Sequence, residues 1–277
     1  MKTSRLFLWF GLSLLFGLII ATGLSVIILI NNDNSTASMM WGQALTQVLM
    51  FLAPAVVMAL VSKQPRAMLH LDFSGSKWLA ALVAVVALML MMPCLDLITE
   101  WNDSWGLPHS TAAEVMLEGW LMRTGWGALA ANLLVVAITP AICEELFFRC
   151  GIQQLFMRWC RRPVLSVVVT AIIFSVAHGE FYAFVPRFVL GLILGMLFMR
   201  TGSLLVNMLA HCVNNAVVVV FYWLYANGSL HVNYATEGLS FHWAITAALT
   251  VLSLVLFAVV CRYPKFKNSF SQEAEIQ

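Results

Sequence analysis

Residues 127–149 read GALAANLLVVAITPAICEELFFR, an apolar run long enough to cross a bilayer that nonetheless closes on Glu144, Glu145 and Arg149. About 20 predominantly apolar residues suffice for a transmembrane helix. An ionised side chain at the centre of such a helix costs roughly 2.5–3.5 kcal/mol even on the lenient insertion scale. This stretch therefore decides the class of fold and raises the question of function together. It is a membrane helix, and its charges need partners or a task.

The rest of the chain has the same character. Of 277 residues, 61% are hydrophobic and 10% charged, and the mean hydropathy is +0.89, far from the values of soluble domains. Apolar runs recur at about 6–30, 42–62, 78–98, 127–148, 164–180, 183–200, 203–226 and 241–261. Each must satisfy its backbone polar groups internally, so each is a helix. The expected fold is all-α, a polytopic transmembrane bundle of about eight spans. Residues 1–261 make a single transmembrane domain, and residues 262–277 make a polar cytosolic tail. The first run is too long for a signal-peptide core and is expected to be retained. Its surroundings are the lipid bilayer. The net charge of +2 and the absence of a basic stripe give no footprint for nucleic acid. The six cysteines lack C-x-x-C spacing and imply packing, not a disulfide framework.

Short-loop charge sets the orientation. With eight spans, thirteen of the fifteen Lys and Arg residues fall on the side of the N-terminus, leaving Arg123 and Arg187 on the other. Both termini are expected in the cytosol, in a multi-pass protein of a bacterial plasma membrane. The one long outer loop, 99–126, carries Trp101, Trp105, Trp120 and Trp126, which fit an interfacial aromatic belt. Within it, Thr111-x-x-Glu114 resembles a capping box opening a short amphipathic helix with Val115, Leu117, Trp120 and Leu121. Glycosylation-type triplets start at Asn34, Asn102 and Asn227, a pattern common by chance.

Two further polar clusters interrupt apolar runs: Phe174-x-x-x-His178 and His211-x-x-x-Asn215, with Asn207 one turn before His211. Residues four apart share a helix face. Glu145 and Arg149 can therefore pair, whereas Glu144 points elsewhere and is left for function. Gly191-x-x-x-Gly195 is a packing face. At about 1.5 Å per residue, Glu144, His178 and His211 all lie roughly 16–23 Å from the inner interface. An acid, two imidazoles and a carboxamide at one depth can activate water and hold an oxyanion.

The three motifs, in this order and each on its own span, resemble the CPBP family of intramembrane proteases, also called the CAAX-processing or Abi family. The similarity covers about residues 130–220 and includes Gly202-Ser203-Leu204 ahead of the third motif. Cys150 stands where the family has glycine after the arginine, with Gly151 next to it. The resemblance implies an intramembrane endopeptidase acting on a peptide or membrane-protein substrate. Glu144 and His178 would activate water and His211 and Asn215 would hold the oxyanion, with Glu145, Arg149 and Phe174 in support. Zinc is the possible cofactor, and Glu144, His178 and His211 are its candidate ligands. No His-Glu-x-x-His string is present, and metal-free water activation is the preferred reading. A serine or aspartyl mechanism is disfavoured, since Gly-x-Ser-x-Gly and Gly-x-Gly-Asp strings are absent. The alternatives are a proton-coupled transporter relaying protons through the same residues, and a catalytically silent scaffold or bacteriocin-immunity protein.

Overall fold

A computed structural model describes residues 3–30, 35–73, 75–108, 111–231 and 241–262. The tail proposed for 262–277 lies outside the described residues from position 263 onward, as does the first glycosylation-type asparagine, Asn34. Every described regular element is helical. Among the described residues seven helices are long and apolar enough to cross a membrane. They are α1 (Thr3–Ile30), α2 (Thr36–Val61), α4 (Lys77–Asp103), α6 (Trp126–Cys160), α8 (Phe184–Thr201), α9 (Leu204–Ala226) and α10 (Trp243–Arg262). Between them lie the short α3 (Pro65–Leu69), the amphipathic α5 (Thr111–Leu121) and the shorter apolar α7 (Pro163–Ala177). The eight expected apolar runs are thus all helices, in a polytopic bundle.

Two expectations about extent need correction. The fourth helix does not end near residue 148 but runs 35 residues to Cys160. Past Glu145, Gln153 and Gln154 are buried and bonded to other helices, and exposure returns only at Arg158. Gln153 Nε2 donates to the Gly195 carbonyl at 3.0 Å, and Gln154 Nε2 to the Met68 carbonyl at 2.7 Å. The fifth run forms only a 15-residue helix, α7, before the chain turns back through Gly179 into α8. The aromatic belt is also incomplete: Trp101, Trp105 and Trp126 are exposed, whereas Trp120 is buried. The Trp120 carbonyl accepts from Asn132 Nδ2 at 2.8 Å, which draws α5 onto α6.

Small residues and proline shape the packing. Along α4, Ala80, Ala84 and Ala87 are fully or almost fully buried, and Ser253 of α10 donates to the Ala87 carbonyl at 2.6 Å. Small side chains let helix backbones approach where no hydrophobic force favours association. The same logic holds for α7 against α8, since a Cβ on Gly195 would come 2.8 Å from Val167 Cγ1. Pro54 and Pro140 each follow a π-helical turn, Val48–Leu52 and Leu133–Ile138. Proline lacks an N–H and crowds the carbonyl four residues earlier, and a wider turn relieves both problems. At Pro140 the deprived carbonyl is that of Val136.

One end of the bundle is tied together by polar contacts to the segment after α3. The Leu204 N–H donates to the His70 carbonyl at 2.9 Å, and Ser203 Oγ to the Asp72 carbonyl at 2.6 Å. Lys77 pairs with Asp72 at 2.6 Å. Burial, with Arg158 nearby, pushes the His70 imidazole down to about 4. His70 is therefore neutral at ordinary pH and adds no charge to this basic end.

Candidate active site

The charged residues of α6 are organised around Glu145, which is fully buried. Arg149 Nε donates to Glu145 Oε2 at 2.8 Å, and Arg149 Nη2 to Oε1 at 3.3 Å. Asn207 Nδ2 of α9 adds a bond to Oε2 at 3.0 Å and His211 Nδ1 meets Oε1 at 3.0 Å. Four donors from two helices thus converge on one carboxylate, which is how a buried ion pair becomes tolerable away from water. The Arg149 guanidinium also lies over the Phe174 ring, 5.6 Å from its centroid, and Nη1 reaches the Gly191 carbonyl at 3.5 Å. The Glu145–Arg149 pair expected from their spacing is present, and it is larger than a pair.

Glu144, one residue earlier, points elsewhere, as the 100° step of a helix requires. Its Oε2 lies 3.9 Å from His178 Nε2. His178 caps the end of α7, and its Nδ1 is 2.7 Å from the Phe174 carbonyl one turn back. A carbonyl only accepts, so Nδ1 carries the proton and the Nε2 lone pair faces Glu144. His211 is held by Glu145 through Nδ1, which leaves Nε2 as the ring nitrogen for a further partner. The two rings flank Phe174, with centroids 4.8 Å and 6.1 Å from it. Phe174 is thus a hub between Arg149 and both histidines.

The last motif residue, Asn215, lies one turn beyond His211 on α9. Its Nδ2 reaches the Val136 carbonyl at 3.5 Å, the acceptor that Pro140 leaves without its usual donor. Asn214 Nδ2 donates to Asn215 Oδ1 at 3.3 Å. α9 therefore runs antiparallel to α6, with His211 beside Glu145 and Asn215 beside Val136. Cys150, where a glycine was expected, is buried among Ala55, Leu146, Phe198 and Leu204. Its Sγ lies 3.4 Å from the Leu69 carbonyl. The close approach falls at Gly151, where a Cβ would sit 2.6 Å from Phe10 Cε2.

Glu144, His178 and His211 are the candidate zinc ligands, and His211 turns Nδ1 to Glu145, which leaves Nε2 as the nitrogen a metal would meet. Among the described residues no group of three His, Cys, Asp or Glu side chains is placed to hold a metal ion. Asn102 is buried, accepting from the Val185 N–H at 2.7 Å and donating to the Phe181 carbonyl at 3.2 Å. It therefore braces the turn after His178 and is not presented as a glycosylation acceptor. Arg187 pairs with Glu180 in that same turn. An apolar cleft of about 290 Å³ between α1 and α2, lined by Ile28, Trp41 and Leu45 among others, contains none of the motif residues.

One contact was not expected from the sequence: Gln47 of α2 donates through Nε2 to Glu144 Oε1 at 3.5 Å. The signal for it was an amide inside an apolar run, a residue type that spans keep for helix-to-helix bonds or sites.

A buried ionic network and a Glu–His pair inside a helical membrane bundle define the class of an integral membrane protein with an intramembrane polar site. Residues 126–217, which hold all three motifs, match the family described as type II CAAX prenyl endopeptidase Rce1-like. The family read from the motifs is the one this segment matches, and at that level it is an intramembrane CAAX-type endopeptidase family. A protein of Bacillus subtilis (strain 168), "Uncharacterized protein YyaK", is 26% identical over 186 residues, covering 63% of this chain and 58% of that protein. The chain thus aligns with somewhat more than half of this relative's length. No solved structure matches.

Proposed function

We propose that this protein is an intramembrane endopeptidase that hydrolyses a peptide bond of a membrane-embedded or membrane-tethered substrate. In this mechanism Glu144 and His178 activate the water and His211 and Asn215 receive the oxyanion. The observation that carries the proposal is the Glu144–His178 pair. Two acceptors face each other across 3.9 Å, and a water donating one O–H to each would be polarised and oriented at once.

The chemistry then follows. As the water oxygen bonds to the scissile carbonyl carbon, its proton passes to the Glu144–His178 pair. The carbonyl becomes an oxyanion. His211, as an imidazolium, presents an Nε2–H donor to it with Glu145 as its counter-ion, while Asn215 Nδ2 supplies a second donor. Collapse of the adduct breaks the C–N bond. The proton held by the pair moves to the departing nitrogen, and the pair returns to its starting state. Every proton in this scheme is carried by water and protein side chains, so water activation is assigned without a metal.

Asn215→Ala tests the scheme against a proton relay, which would have no use for an oxyanion donor. With a quenched fluorogenic peptide library and protein in liposomes, the variant should lose about 10²–10³-fold in kcat. It should keep its fold, because Asn215 makes only long contacts. Cleavage at the wild-type rate would remove Asn215 from the mechanism.

We also propose that both termini are cytosolic, in a bacterial plasma membrane. Support comes from the basic residues gathered where α3, the end of α6 and the start of α9 are tied together. In a cysteine-free background, a cysteine at Ser229 should react with an impermeant maleimide in intact cells, and one at Gln64 only after permeabilisation. Labelling of Gln64→Cys in intact cells would invert the topology.

A further inference from the structure

Resting on the reading of Glu144 as the base, we propose that Gln47 is a positioning residue that holds the Glu144 carboxylate with one oxygen facing His178. Gln47 is the last residue of α2 before its π-helical turn. That turn adjusts the helix ahead of Pro54, whose missing N–H would otherwise leave the Met50 carbonyl crowded and unpaired. It also sets the face on which Gln47 meets α6.

The two carboxylate oxygens of Glu144 are then inequivalent. Oε1 accepts from the Gln47 amide at 3.5 Å, and Oε2 faces His178 Nε2 at 3.9 Å. Without the amide, the carboxylate could swing about its terminal torsion, which is broad for glutamate. Its lone pairs would then leave the water site for much of the time. The other buried amides behave differently. Gln153 and Gln154 donate to backbone carbonyls, as Asn132 does, and so serve packing between helices. Asn207 divides its amide between Glu145 and the Leu194 carbonyl. Gln47 donates to Glu144, the residue assigned to the proton. Its own Oε1 is buried without a partner, as are the amide oxygens of Asn132, Gln153, Gln154 and Asn207, so it is the acceptor of the N–H that sets Gln47 apart. In the opposite amide orientation two acceptors would face each other, and the Nε2 donor would be the buried group without a partner.

The role predicts a specific kinetic signature. Gln47→Met keeps length and volume but removes the donor, and Gln47→Glu replaces the donor with a like charge. Misplacing a reacting group by about 1 Å can cost 10²-fold. Gln47→Met should accordingly lose up to about 10²-fold in kcat at unchanged KM, with unchanged thermal stability in detergent. Gln47→Glu should lose at least as much. Gln47→Asn retains an amide donor on a shorter stem and should recover part of the rate lost in Gln47→Met. The assay is the fluorogenic library member that wild-type protein cleaves fastest. Wild-type kcat in Gln47→Met overturns the proposal, as does a raised KM at unchanged kcat, which would make Gln47 a substrate contact. If Gln47→Met fails to fold, Gln47→Asn decides: a lowered kcat in folded protein supports positioning, and wild-type kcat rejects it. Wild-type cleavage by Glu144→Gln would instead refute the underlying assignment of the base. Loss in Glu144→Gln together with full activity in Gln47→Met would refute only the role of Gln47.

Discussion

Glu144→Gln should abolish peptide cleavage while leaving the protein folded and in the membrane. The substitution keeps the size of the side chain and can retain its contact with Gln47, so packing around α2 and α6 changes little. What it removes is proton acceptance at the atom facing His178 Nε2, 3.9 Å away. Losing a positioned acid or base costs about 10²–10⁴-fold. The check is turnover of the fluorogenic library by purified protein, paired with a thermal unfolding curve to separate lost chemistry from lost fold. An inactive variant with a wild-type transition supports the assignment. An active variant removes Glu144 from the mechanism.

The second large effect is on stability. Arg149→Met keeps a long apolar stem but strips the buried Glu145 carboxylate of its two guanidinium bonds, leaving Asn207 and His211 to hold it. Removing one partner of a buried ion pair typically costs about 3–5 kcal/mol. The variant should unfold at a markedly lower temperature and accumulate poorly in membranes. Replacing both partners, Glu145→Gln with Arg149→Met, should recover much of that stability, since the desolvation cost of both charges disappears together. It should not recover activity, because His211 would lose the carboxylate that fixes its ring. A single variant as stable as wild type would contradict the network. Glu145 thus has two tasks that spacing alone did not separate. Its four-residue interval to Arg149 announced an ion pair, but its bond to His211 depends on how α9 lies against α6.

That difference marks how far the sequence reaches. The helical class and the three motif segments were legible because charges in apolar runs are rare and need a reason. The four-residue periods placed Phe174 with His178, and His211 with Asn215, on common faces. Partners across helices were not legible, since periodicity gives the face of a residue and not its neighbour. The apolar run closes near residue 148, yet Gln153 and Gln154 donate to carbonyls of α8 and of α3 and the helix continues. Trp120 read as an interfacial anchor because its carbonyl's bond to Asn132 depends on how α5 folds back. Gln47 escaped for the same reason: nothing in α2 names Glu144 as its acceptor. Pro140 stands in the sequence, but its consequence, a Val136 carbonyl left for Asn215, appears only once α9 is in place.

The proposed activity is peptide-bond cleavage by this membrane bundle through Glu144. It is tested most directly by mapping protein termini in membranes from cells carrying wild-type protein, Glu144→Gln or neither. A set of membrane-peptide termini should be present with wild type and missing alike from the variant and the null. Termini that persist with Glu144→Gln, or three identical profiles, would contradict it.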